Sequence, residues 1–261
     1  MKLDAPGKGA RDRASAQALR ELRSDWTRLG EADPLWAVCV DPDRRGGRWD
    51  LEEFNATGRA EIAAALAHLD QLGLCRRRET ALDFGCGVGR LTAALAAEFG
   101  EPTGVDISWP MLEQAARINA ADGRCRYVHN DTADLGPFPD ASFDLVYSSL
   151  VLQHIPPALA GSYLAEFVRV LRPGGAIMLL VPVAHARTLR GAVYALAPHQ
   201  VTGWIQRRVF GYPAPMRMHT LPARRVRQVA EPLGATLVDS VPHPGYGGHW
   251  RMALHIVTRR G

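Results

Sequence analysis

Residues 80–92 read TALDFGCGVGRLT. An apolar run of strand character ends in three glycines, Gly85, Gly87 and Gly89, and a helix-forming stretch follows. A strand–glycine turn–helix unit exposes backbone N–H groups. It also lets a ligand lie against the main chain, because glycine has no Cβ in the way. Asp83 stands two residues before the first glycine. A dinucleotide turn reads G-x-G-x-x-G and places a pyrophosphate on the helix N-terminus, where a carboxylate would repel it. Here the turn is G-x-G-x-G, and with Asp83 it favours a ligand with a cationic end.

Outward from this turn the chain alternates strand and helix. TALDFG, PTGVDIS, CRYVHND, FDLVYSS and AIMLLVPV read as strands. RLTAALAAEFG, SWPMLEQAARINAADG and the run from HIPPALAG to RVLRPGG read as the helices between them, with Ser108 as an N-cap and Pro110 in the first turn. The apolar run AIMLLVPV suits a strand buried on both faces, and the alternation suits a parallel sheet covered by helices. LPARRVRQVAEPLGA makes a last helix. TLVDSVPHP and HWRMALHIVTRR are two strands joined by GYGG, a link too short for a parallel crossover, so the last strand should be antiparallel.

The expected fold is a three-layer α/β Rossmann-like sheet, mostly parallel with an antiparallel last strand. An N-terminal helical segment and a helical cap are added to it. The organisation reads as 1–79 helical or lid segment, 80–183 ligand-binding core, 184–219 cap and 220–261 closing helix and hairpin. In the first segment, helices are expected from Ala14 and from Ala56, after what reads as a frayed tail. The turn-rich stretch between them carries Trp36, Trp49 and Phe54. The cap carries Tyr194, Trp204, Phe210, Tyr212, Met216 and Met218.

Composition excludes several classes. Of 261 residues, 47% are hydrophobic and 22% charged, as in an ordinary globular protein. The net charge of +4 is diffuse, without the dense basic patch of a dedicated nucleic-acid binder. The cluster Arg76-Arg77-Arg78 reads as solvated linker. No window resembles a membrane helix, and the start has no apolar signal core. The four cysteines form no CxxC pair, so a reduced, cytoplasmic protein without a disulfide framework is expected. No His, Cys or Asp spacing suggests a metal.

Two more strand ends carry acids: Asp106 in VDIS and Asp131 in HNDT. An acid at the distance of Asp106 commonly accepts hydrogen bonds from ribose hydroxyls. Acceptors for an ammonium, a ribose and an adenine amine therefore stand on one sheet edge, where open α/β sheets bind ligands. S-adenosylmethionine offers all three groups.

With these motifs in order, the chain resembles the class I S-adenosylmethionine-dependent methyltransferases, in the broad group acting on quinone rings and natural products. LDFGCGVGR is similar to the cofactor loop, VDIS to the ribose segment, and NDTADLGPFPDASFDLVYSSLVLQHI to the adenine strand and the one after it. RVLRPGG is similar to the turn before the fifth strand. The resemblance runs from about Thr80 to Gly175. It implies that Gly85, Cys86, Gly87 and Gly89 carry the methionine part, with Asp83 near its amino group. Asp106 would then take the ribose, with Ile107 and Met111 beside the adenine. Asn130, Asp131 and Thr132 would meet the adenine amine, and Ser148, Leu150 and Gln153 the methionine end. The implied product is S-adenosylhomocysteine.

The acceptor is expected to be a small molecule, methylated on O, N or C, in specialised metabolism. His154, just past the fourth strand, is the candidate general base, since imidazole titrates near neutrality. An RNA or protein methyltransferase, a dinucleotide oxidoreductase and a protein that binds the cofactor without transferring methyl are the alternatives.

Overall fold

The computed structural model describes residues 8–120, 123–188, 196–244 and 249–260. Its strands are β1 (Thr80–Phe84), β2 (Glu101–Asp106), β3 (Arg126–His129), β4 (Phe143–Ser149), β5 (Leu171–His185), β6 (Ala235–His243) and β7 (Trp250–Arg259). They form one sheet in the order β3-β2-β1-β4-β5-β7-β6. β3, β2, β1, β4 and β5 pair in parallel, and β7 runs antiparallel to both β5 and β6, as the short link predicted. The link GYGG itself lies outside the described residues, as does Tyr194.

Strand alternation divides the core in two. Leu82, Val146, Ile177, Leu179 and Val257 pack on one face against Leu164, Phe167 and Val168 of α6 (Pro157–Val170) and Val226 of α8 (Ala223–Ala230). Ala81, Leu145, Tyr147, Met178 and Ile256 pack on the other. There they meet Ile62, Leu66 and Leu69 of α3 (Leu51–Gln71) and Leu91 and Leu95 of α4 (Arg90–Leu95). Each fully buried Leu, Ile or Phe contributes about 1.5–3 kcal/mol.

Several helix boundaries differ from the sequence reading. α1 (Lys8–Ala32) starts before Ala14, within the stretch read as a frayed tail. α3 starts at Leu51 rather than Ala56: the Asp50 side chain accepts from Glu53 N at 2.9 Å, and Glu52 and Glu53 suit the first turn. α4 stops at Leu95, well short of Gly100. Ser108 does occupy the N-cap of α5 (Trp109–Ile118), but its hydroxyl donates to Trp26 O at 3.2 Å and caps nothing.

The N-terminal segment lies over the C-terminal edge of the sheet. α1 is tied to the strand ends by Arg23, whose guanidinium meets Asp131 at 2.8 Å. It is tied to the cap by Glu21, which meets Arg217 at 2.8 Å. α2 (Pro34–Val38) buries Trp36 edge-on against Tyr212, and Arg45 covers both rings. The cap helix α7 (His199–Arg208) exposes Trp204, and Phe210 just beyond it is also exposed. Arg77 and Arg78 of the basic cluster pair with Glu79, Asp70 and Glu98.

Candidate active site

The glycine turn and the strand ends beside it open into a cavity of about 330 Å³. One half is lined by Gly85, Gly87, Asp106, Ile107 and Asn130, over β1, β2 and β3. The other half lies under the cap and the last strand, with Tyr212, Met216, Met218, Trp250 and Met252. Leu150, Gln153 and His154, just past β4, stand at the junction.

The turn is built by close approach. Gly85 has φ +76, and a Cβ there would lie 2.4 Å from both methyls of Val151. Gly87 has φ +54, and its Cβ would lie 2.5 Å from a methyl of Val38. Glycine is thus required both for the left-handed backbone and for the neighbours laid on it. Asp106 fixes the turn from the next strand. One carboxylate oxygen accepts from Gly87 N and the other from Ser108 N, each at 2.8 Å. Burial raises its pKa, and those backbone N–H groups oppose the rise.

Half of the residues assigned to the cofactor from sequence do not line the cavity. Asp83 is buried behind the turn, accepts from Thr92 Oγ1 at 2.7 Å, and is pushed by burial to about 7. It is therefore not a carboxylate at the mouth of the turn; Asp106 is. Cys86 is buried beneath the turn, where burial holds its thiol well above the usual range. Gly89 serves packing: its Cβ would lie 2.4 Å from Tyr127 Oη. Met111 packs under Gly30 of α1. Asp131 pairs with Arg23, and Thr132 Oγ1 bonds Asn130 Oδ1 at 2.8 Å. Ser148 donates to Phe84 O at 3.1 Å, and its neighbour Ser149 lines the cavity instead.

Behind the turn stands an ion pair that sequence reading missed. Arg90, the first residue of α4, is 5% exposed and meets Glu61 of α3 at 2.9 Å. Tyr147 Oη donates to the other Glu61 oxygen at 3.1 Å. The available signal was an acid on the apolar stripe of α3, between Gly58 and Ala65.

His154 is buried at the junction. Its Nδ1 lies 2.6 Å from Arg217 O, and its ring meets Trp26 edge-on at 5.0 Å. A carbonyl only accepts, so Nδ1 carries the proton and Nε2 keeps its lone pair. Burial lowers the pKa from 6.5 to about 4. The folded protein thus resists a proton that the unfolded chain takes up below about 6.5. The resulting stability is full above pH 6.5 and is lost as pH falls toward 4, by about 3 kcal/mol at most. Urea unfolding of wild type and His154→Gln between pH 4 and 7 should show the gap between them shrink as pH falls. A constant gap would contradict the buried neutral ring.

The sheet order, with the cavity on the C-terminal edge of its parallel strands, is that of a Rossmann-like α/β fold. Residues 82–179 match the family described as methyltransferase domain. A 2-methyl-6-phytyl-1,4-hydroquinone methyltransferase of Synechocystis is 27% identical over 171 residues, 65% of this chain and 52% of that protein. A demethylmenaquinone methyltransferase of Clavibacter sepedonicus is 43% identical over 101 residues, 39% of this chain and 40% of that one. The chain thus spans about half, or less, of the curated relatives it matches. Among solved structures, the magnesium protoporphyrin IX methyltransferase of Synechocystis with bound S-adenosylhomocysteine has a TM-score of 0.61 at 17% identity, covering 93% of this chain and 99% of its own. The 1,6-didemethyltoxoflavin-N1-methyltransferase of Burkholderia thailandensis has a TM-score of 0.58 at 22% identity, covering 99% and 94%.

Proposed function

We propose that the protein transfers a methyl group from S-adenosylmethionine to a small-molecule acceptor. The observation that carries this reading is Asp106. Two backbone N–H groups hold its carboxylate on the cavity wall between the glycine turn and Asn130. Its remaining lone pairs suit a vicinal diol, and Gly85 and Gly87 bring the main chain to the cavity wall beside it. Asn130 and Ile107 are proposed beside the adenine, and Leu150 at the methionine end. Asp131 is given the role of holding α1 through Arg23. Asp83 supports the turn through Thr92.

When bound, the cofactor supplies an activated methyl for in-line displacement. The protein's work is to align the acceptor and exclude water. Val38, lying on Gly87, and Trp26, lying on His154, provide that cover. His154, neutral and weakly basic, is proposed to shape the junction beside the acceptor rather than to remove its proton beforehand. The hydroquinone, porphyrin and toxoflavin precursor named for the similar proteins are all flat ring systems, which supports a small-molecule acceptor here.

Calorimetric titration with S-adenosylhomocysteine, with NADH as control, tests the reading. Micromolar binding of the first and none of the second is the expected outcome. The reverse would overturn it.

A further inference from the structure

The cavity wall contains polar groups of two kinds. Most are satisfied within the protein. Gln206 gives both ends of its carboxamide to Met216, accepting from its N at 2.8 Å and donating to its O at 3.1 Å. Tyr163 donates to Thr132 O, and Asn130 to Asp134 O at 2.8 Å. Gln153 Oε1 and Ser149 Oγ differ: both are buried, and neither has a hydrogen-bond partner among the described residues. Gln153 is only 5% exposed. An unpaired buried carbonyl is costly, so a ligand bringing a donor gains what the protein alone forgoes.

Gln153 belongs to the cap side of the junction. Its backbone O accepts from His219 N at 2.7 Å, and the next residue, His154, is pinned to Arg217 O. The cofactor half, in contrast, is organised by Asp106 and Gly87. Among the described residues lining the cavity, Asp106 is the only Asp, Glu, Lys or Arg, and the cap half adds the imidazole of His249. A charged acceptor would therefore be desolvated there without a permanent counter-charge. The rest of that wall includes Trp26, Tyr212 and Trp250 with three thioethers, from Met216, Met218 and Met252. Aromatic faces and polarizable sulfur favour flat aromatic rings.

We infer that the cap half takes an uncharged, flat aromatic acceptor bearing an O–H or N–H, and that Gln153 Oε1 accepts the hydrogen bond that orients it. This rests on the methyl-donor reading of the other half. Gln153 is a positioning residue here, not a ligand of the cofactor.

The test uses the full chain saturated with S-adenosylhomocysteine, titrated with 2-naphthol and with 2-methoxynaphthalene, which has the same rings but no donor. Wild type should bind 2-naphthol about tenfold or more tightly than the ether. It should not bind 2-naphthalenesulfonate. Gln153→Leu should erase the preference for naphthol and leave S-adenosylhomocysteine affinity unchanged. Because it removes an unpaired polar atom, it should also raise the thermal midpoint of the unliganded protein by about 2–4 °C. No saturable naphthol binding at millimolar concentration, equal binding of naphthol and ether, or tighter sulfonate binding overturns the inference. So does a Gln153→Leu protein that loses S-adenosylhomocysteine. Failure of wild type to bind S-adenosylhomocysteine at all refutes instead the function proposed above.

Discussion

Glu61→Ala lowers the unfolding free energy by about 3–5 kcal/mol, the usual effect of leaving one partner of a buried ion pair alone. Arg90 follows the glycine turn directly and has little access to water. Its guanidinium reaches Glu61 at 2.9 Å and Thr57 Oγ1 at 3.1 Å, and its stem lies against Gly58. Without Glu61 the guanidinium loses the carboxylate at 2.9 Å, and Tyr147 Oη loses its acceptor inside the core. Gly58 leaves no room for Arg90 to swing away, since a Cβ there would lie 2.7 Å from Arg90 Cγ. Urea unfolding at neutral pH measures the loss. The double variant Glu61→Leu, Arg90→Leu should recover most of it, because no charge is then stranded. A single-variant loss below about 1 kcal/mol, the range of exposed pairs, would show that water reaches the pair.

Asp106→Ala weakens S-adenosylhomocysteine binding by about 10- to 100-fold, from lost hydrogen bonds to a charged acceptor worth about 1.5–3 kcal/mol each. Two effects act together. Under the proposed function the ribose loses its acceptor, and Gly87 N and Ser108 N lose the carboxylate that holds the turn to β2. Asp106→Asn separates them. A carboxamide can accept from one of those N–H groups but presents its own N–H₂ to the other, so the turn is strained although side-chain size is kept. Asn should therefore fall between wild type and Ala in a calorimetric titration. If Ala binds as wild type does, the ribose role of Asp106 fails.

Much of the fold was legible because the sheet writes itself locally. β4 is the stretch FDLVYSS and nothing more, and the antiparallel end followed from the length of one link. The site was legible where backbone dictated it, at Gly85, Gly87 and Asp106. Past β3 the reading took Asn130, Asp131 and Thr132 together, of which Asn130 lines the cavity while Asp131 faces α1; at the end of β4 it took Ser148, which turns to Phe84 O, where Ser149 lines the cavity. Successive side chains on extended chain point opposite ways, so an error of one position inverts the answer. Val38, Trp250 and Met252 had no local signal at all. They reach the cavity through tertiary packing of segments far from the glycine turn in sequence.

The two halves of the cavity come from separate parts of the polypeptide. The donor half is drawn from residues 84–130, within the stretch shared with other methyltransferase domains. Most of the opposite wall comes from residues 22–40 and 206–252, outside that stretch. Under the proposed function, divergence in those outlying segments alters which molecule is methylated and leaves the donor grip intact. Met216, Met218 and Met252 are then the positions at which to redesign the acceptor's shape, and a match confined to residues 82–179 speaks for the donor and not for the acceptor.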